Sequence, residues 1–177
     1  MTPQQKYQQD LLRPGFVADP AQGVAISRLE RLYQDLLRRP TPTRSRGLLG
    51  WLQKPKPPEP VLGIYMWGGV GRGKTWLMDT FFDSLPGTRK MRSHFHRFMH
   101  RIHDELQGLS GQSDPLKLVA SKLASETDII CFDEFFVSDI TDAMLLGTLF
   151  QELFGHGVVL VATSNIPPQD LYRNGLQ

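Results

Sequence analysis

The eight residues Gly68-Gly69-Val70-Gly71-Arg72-Gly73-Lys74-Thr75 fit the pattern G-x-x-x-x-G-K-[ST], and they follow Val61-Leu62-Gly63-Ile64-Tyr65-Met66-Trp67, a near-continuous apolar run of strand length. This pairing constrains the fold more than any other feature, because it predicts a strand, a tight loop and a helix in that order. Trp76, Leu77 and Met78, with Phe81 and Phe82, supply the apolar face of that helix. Glycines carry no Cβ, so several backbone N–H groups can converge on phosphate oxygens, and the helix adds its positive N-terminal end. Lys74 offers a mobile cation to the β- and γ-phosphates, and Thr75 offers a hydroxyl to Mg²⁺. The expectation is a nucleotide-phosphate loop formed by Gly68 to Thr75, with Trp76 beside it.

A second motif gives that loop a chemistry. Asp128-Ile129-Ile130-Cys131-Phe132-Asp133-Glu134 is a short apolar strand that ends in two carboxylates, 58 residues after Thr75. At the carboxyl end of a parallel strand, Asp133 suits Mg²⁺ held directly or through water, and Glu134 suits a base that orients and deprotonates an attacking water. A third run, Val158-Val159-Leu160-Val161-Ala162-Thr163-Ser164-Asn165, ends 32 positions after Asp133. Carboxyl ends of parallel strands line one crevice. Asn165 is therefore expected beside the γ-phosphate, with Ser164 or Thr163 as substitutes; the competing reading of Asn165 is the start of the turn before Pro167-Pro168.

Composition sets the bounds. With 177 residues and 40% hydrophobic content, the chain can build one real core plus an appendage. A formal net charge of +2 argues against a dominant polyanion partner such as nucleic acid. Residues 1–60 form the basic part, with ten Lys/Arg against five Asp/Glu, whereas 61–177 carry ten against thirteen. Cys131 is the single cysteine and sits within an apolar strand, which fits a reducing compartment. The first residues show no signal-peptide pattern, and no apolar run approaches membrane-spanning length, so the expected setting is cytoplasmic.

Along the chain, residues 21–39 read as a helix with Ile26, Leu29, Tyr33, Leu36 and Leu37 on one face and Pro40 closing it. The Pro-rich basic stretch from Pro40 to Pro60 reads as a linker, which divides the chain into an N-terminal helical extension (1–60) and a nucleotide-binding core (61–177). Arg89-Lys90-Met91-Arg92-Ser93-His94-Phe95 looks like a second strand, and its cations suggest a sheet margin. Asp114-Pro115 has the form of an N-cap and first residue, opening a helix through Leu123; Asp139 opens another whose Leu146, Leu149, Phe150 and Leu153 face the core. Strand and helix thus alternate. The fold class expected is α/β, a parallel sheet with helices on both faces.

With these residues in hand, the chain resembles the P-loop NTPases of the AAA+ class, and more narrowly the ZapE family of cell-division ATPases with its mitochondrial AFG-type relatives. The resemblance is carried by Gly63 to Thr75, by His94-Phe95-His96-Arg97-Phe98-Met99, by Cys131-Phe132-Asp133-Glu134-Phe135-Phe136-Val137, and by Ser164-Asn165 with Asp170 to Gln177. It implies an ATPase using ATP and Mg²⁺, with Lys74, Glu134 and Asn165 catalytic and Thr75 and Asp133 on the metal. It also implies FtsZ as protein partner, recruitment to the division site, and a hexameric ring in the full-length protein. In such proteins the segment before the first strand often lies over adenine, so the resemblance offers Phe16 to stack on the base and Gln22 to bond its edge; ordinary packing of a loop against the core is the other reading of both residues. Phe95, Phe98 and Met99 fall where such rings present partner-gripping loops; helix-core packing is the other reading. The architecture has five strands and a C-terminal helical lid, whereas four strands can be counted here. A fragment of a longer protein is therefore expected, with Arg173 the one basic residue after Asn165 that could serve as an arginine finger.

Two other functions remain open on the sequence alone. One is a nucleotide-gated binding module with negligible hydrolysis. The other is a helicase-loader-type protein acting on DNA, for which the basic N-terminal part is the sole support.

Overall fold

Every residue of Ile129-Ile130-Cys131-Phe132 is apolar, and successive side chains of a strand go to opposite faces, so this segment needs a sheet covered on both sides. The computed structural model, which describes residues 1–39, 63–68 and 73–167, has that arrangement. Ile129 and Cys131 enter one hydrophobic core, and Ile130 and Phe132 enter the other. The Pro-rich segment, the loop residues Gly69, Val70, Gly71 and Arg72, and the tail bearing Arg173 lie outside the described residues.

Among the described residues the sheet has four parallel strands, β1 (Ile64–Trp67), β2 (Lys90–His94), β3 (Ile129–Asp133) and β4 (Val159–Ser164), in the order β1-β4-β3-β2. The expected α/β class is therefore the one observed. Helices α1 (Pro3–Leu11), α2 (Pro20–Arg38) and α3 (Lys74–Ser84) share a core with one face, through Tyr7, Ile26, Leu29, Leu32, Met78 and Phe81. The other face carries α4 (Phe95–Gly108), α5 (Pro115–Glu126) and α6 (Ile140–Gly155). Strand β2 lies at the margin of the sheet, as its cations suggested.

Three expectations need correcting. Phe95, Phe98 and Met99 are buried, and the Phe98 ring lies 4.7 Å from that of Phe132, so they pack the core and grip nothing outside it. In α2 the buried face runs through Ile26, Leu29, Leu32 and Tyr33, while Leu37 is exposed. Asp114 does precede α5, but at φ +51° its side chain makes no capping bond. By contrast, Asp139 caps α6 as expected, accepting from the N–H groups of Thr141 and Asp142.

Candidate functional site

The carboxyl ends of the strands and the N-terminus of α3 surround a cavity of about 350 Å³, lined by Gly73, Lys74 and Thr75 from α3, Arg92 and His94 from β2, Asp133 and Glu134 from β3, and Thr163 to Asn165 from β4. Register puts these ends side by side, since His94 pairs with Asp133 and Trp67 with Ser164. The sheet thus gathers Lys74, Thr75, Asp133, Glu134 and Asn165, residues spread over about ninety positions of sequence, around one volume.

Gly73 turns the chain into α3 in the left-handed region, at φ +71°. Only glycine adopts this cheaply, and a Cβ here would also come within 2.4 Å of Gln22 Nε2. Lys74 Nζ donates to the Gly68 carbonyl at 2.8 Å, which draws the lysine back over the end of β1. Thr75 is exposed to the cavity.

Glu134 departs from regular backbone, with φ +56°. A non-glycine residue held there costs on the order of 1–3 kcal/mol and persists where its surroundings impose it. Here they do. The Glu134 N–H donates to Thr163 Oγ1 at 3.3 Å, the Phe135 N–H to the Thr163 carbonyl at 2.8 Å, and the Ser164 hydroxyl to the Phe135 carbonyl at 2.7 Å. These bonds fasten the end of β3 to β4 and leave the Glu134 side chain 75% exposed, with its Oε2 standing 4.0 Å from His94 Nδ1. Thr163 and Ser164 are buried and engaged in this fastening, whereas Asn165 is the exposed polar residue at that strand end.

Asp133 is held by a residue whose role the sequence did not reveal. Arg92 donates through Nε to Asp133 Oδ2 at 2.7 Å and through Nη2 to Oδ1 at 3.1 Å, and its Nη1 bonds Asp79 on α3. The hydrogen bonds with Asp133, opposed by burial and helped by Asp79, hold the Arg92 guanidinium well above its ordinary value. Arg92 stays charged at any working pH.

The remaining expected residues, Phe16, Gln22 and Trp76, are not part of that cavity's lining. Trp76 Nε1 donates to Asp10 Oδ2 at 3.0 Å, and the Trp76 ring packs against Phe16 and Tyr7 at 5.4 and 5.9 Å. The side chains of Phe16 and Trp76 therefore belong to an aromatic group joining α1 to α3, outside the cavity lining. Gln22 borders Gly73, and its buried Oε1 has no hydrogen-bond partner among the described residues. Asp10, 1% exposed, also accepts from Lys6 at 3.0 Å and pairs with Arg13 at 3.2 Å.

A match to the model of the AFG1-like ATPase family spans residues 1–177. The chain belongs to that family. Over 184 aligned residues it is 55% identical to the cell division protein ZapE of Escherichia coli K12, an alignment covering all of this chain and 49% of that protein. Lactation elevated protein 1 homolog B of Danio rerio is 50% identical over 135 residues, 70% of this chain and 26% of that protein. The chain thus spans half or less of the length of these relatives. AMPPCP-bound DnaA from Aquifex aeolicus shares the fold at 17% identity, with a TM-score of 0.60 over 92% of this chain and 46% of that one. Domain III of the Thermotoga maritima replication initiation protein DnaA does so at 19% identity and TM-score 0.58, over 88% and 56%. The fold is that of the AAA+ P-loop proteins. Among the described residues no helix is long and apolar enough to cross a membrane.

Proposed function

We propose that this chain binds ATP together with Mg²⁺ and hydrolyses it to ADP and phosphate. The observation that carries the reading is the convergence of Lys74, Thr75, Asp133, Glu134 and Asn165 on one cavity at the carboxyl ends of parallel strands. Backbone N–H groups of the loop from Gly68 to Thr75 receive the phosphates. Lys74 adds its charge at the β- and γ-oxygens. The hydroxyl of Thr75 and the carboxylate of Asp133 are oxygen donors of the kind Mg²⁺ takes, and the ion, when bound, neutralises phosphate charge. Glu134 orients the attacking water and accepts its proton, and Asn165 steadies that water against the γ-phosphate.

In this reading the extension 1–60 covers the base side of the core 61–177. Gln22 bonds the edge of adenine, for which its buried Oε1 beside Gly73, without a hydrogen-bond partner among the described residues, is the support. Phe16 stacks on the base after leaving or sharing its packing with Trp76. From the 55% identity to ZapE we extend the proposal to a cytoplasmic role in cell division, with recruitment to the division site, FtsZ as partner and a hexameric ring.

Lys74→Ala tests the core of the proposal. It removes the cation on α3's first turn, and binding of a fluorescent ATP analogue should be lost while the melting temperature stays near wild type. Unchanged binding in this variant would remove the loop from the nucleotide site. Binding without measurable turnover in the wild-type protein would favour the nucleotide-gated module.

A further inference from the structure

Arg92 lies midway along β2, paired in register with Cys131, and its side chain is 23% exposed. Its guanidinium meets two carboxylates from different elements. Both oxygens of Asp133, itself 15% exposed, are gripped by the fork formed by Nε and Nη2, and Nη1 reaches Asp79. Asp79 lies four residues after Thr75 on α3, one helical turn further along the same face. One planar group therefore ties the carboxylate at the end of β3 to the helix that carries Lys74 and Thr75.

An arginine on a marginal strand ordinarily forms surface pairs of little consequence. This one differs in two respects. It lines the same cavity as Lys74, Thr75, Asp133 and Glu134. Its bidentate hold also orients the Asp133 carboxylate, which a lysine, with a compact point charge in place of the fork, cannot do. Each gripped oxygen keeps acceptor capacity for a further donor, including a water on a cation that retains its hydration, as Mg²⁺ does.

We propose that Arg92 is a positioning residue for the divalent cation that accompanies the nucleotide. It holds the Asp133 carboxylate, and through Asp79 the first turns of α3, so that Asp133 and Thr75 meet the cation in a single arrangement. The inference rests on the reading above of Asp133 and Thr75 as the cation-side residues. Asp79 shares the role at one remove.

The test is a Mg²⁺ titration of fluorescent ATP analogue binding to the full chain, with parallel binding in EDTA. Arg92→Gln should raise the Mg²⁺ concentration at half-effect by about 10–100-fold, the range for losing a partner that orients a metal ligand, a larger factor than any loss of binding in EDTA. Asp79→Asn should shift it in the same direction by less, and Arg92→Lys should recover only part of the loss. An unshifted Mg²⁺ midpoint with a lowered melting temperature would make Arg92 a packing ion pair and overturn the inference. A midpoint moving to lower Mg²⁺ would also overturn it, by making the guanidinium a competitor of the cation. Wild-type binding that ignores Mg²⁺ would instead overturn the reading of the site itself. Should Arg92→Gln fail to fold, Asp79→Asn decides, because Asp79 is half exposed and its loss leaves Arg92 paired with Asp133.

Discussion

The two faces of the sheet are built from different materials. On the face covered by α4, α5 and α6, Phe95, Phe98, Phe132, Phe135 and Phe150 form a continuous aromatic group around β3, with rings 4.4 to 6.3 Å apart. On the face covered by α1, α2 and α3, a core that mixes aliphatic residues with Tyr7, Tyr33 and Phe81 is interrupted by Asp10 bonded to Trp76, by Gln22 against Gly73, and by Arg92 reaching Asp79. Apolar contact is non-directional and proportional to area. It can hold an element in place without fixing the angle of one side chain. Hydrogen-bonded polar groups in a low-dielectric setting do fix angles, at the risk of a heavy cost when one partner is lost. The difference teaches that one face supplies stability and the other supplies orientation to the helix that begins at Lys74.

The largest test of that contrast is Phe98→Ala. Emptying a fully buried aromatic site should cost about 3–5 kcal/mol, read by chemical denaturation, while nucleotide affinity of the folded fraction stays unchanged. A loss of nucleotide affinity with normal stability would revive a contact role for Phe98 and break the division between faces.

A smaller effect is expected on the other face. Asp10→Ala leaves the Trp76 N–H unsatisfied beside two cations, which should cost about 1–3 kcal/mol. It carries a pH signature as well. Burial acts to raise the Asp10 carboxyl, but the bonds from Lys6 and Trp76 and the charges of Arg13 and Lys6 outweigh it and hold the group below its ordinary value. With the folded value below the unfolded one, at about 3.9, its stabilisation is present above that pH and is lost as pH falls further. Wild type should therefore lose stability on acidification below about pH 4 more steeply than Asp10→Ala. Parallel acid curves would deny Asp10 its role.

How much of this was legible in the sequence depends on what each residue pairs with. Strands β3 and β4 were visible because strands buried on both faces read as unbroken apolar runs, and β1 because its apolar run leads into the glycine-rich loop; the sheet order brought Asp133, Glu134 and Asn165 to one end. Helix α1 was not. Its nine residues, PQQKYQQDL, are mostly polar, and it joins the core chiefly through Tyr7 and the hydrogen-bonded Asp10, so no period of hydrophobicity announces it. Arg92 was hidden in a run of cations that reads as a solvated margin; the two carboxylates that give it meaning are 13 and 41 residues away. For Phe95, Phe98 and Met99 the sequence leaves gripping and helix-core packing both open, and burial decides for packing. The strain at Glu134 had no sequence signal, since the bonds imposing it come from Thr163 and Ser164 on another strand.

That strain supplies a finer test of the orienting face of the site. Thr163→Val keeps shape but removes the acceptor of the Glu134 N–H, and should cost about 0.5–1.5 kcal/mol of stability. Turnover should fall further than that modest change in stability would suggest, with nucleotide binding retained. Turnover at wild-type level would mean that Glu134 needs no such fastening.

The central claim is that Glu134 acts on water while the loop from Gly68 to Thr75 holds the nucleotide. Glu134→Gln measured for both binding and turnover addresses it most directly, because the amide keeps the size of the side chain and cannot accept a proton. The account predicts ATP affinity near wild type with hydrolysis reduced about 10²–10⁴-fold, the usual worth of a positioned general base. Hydrolysis at the wild-type rate, or loss of affinity matching that of Lys74→Ala, would contradict it.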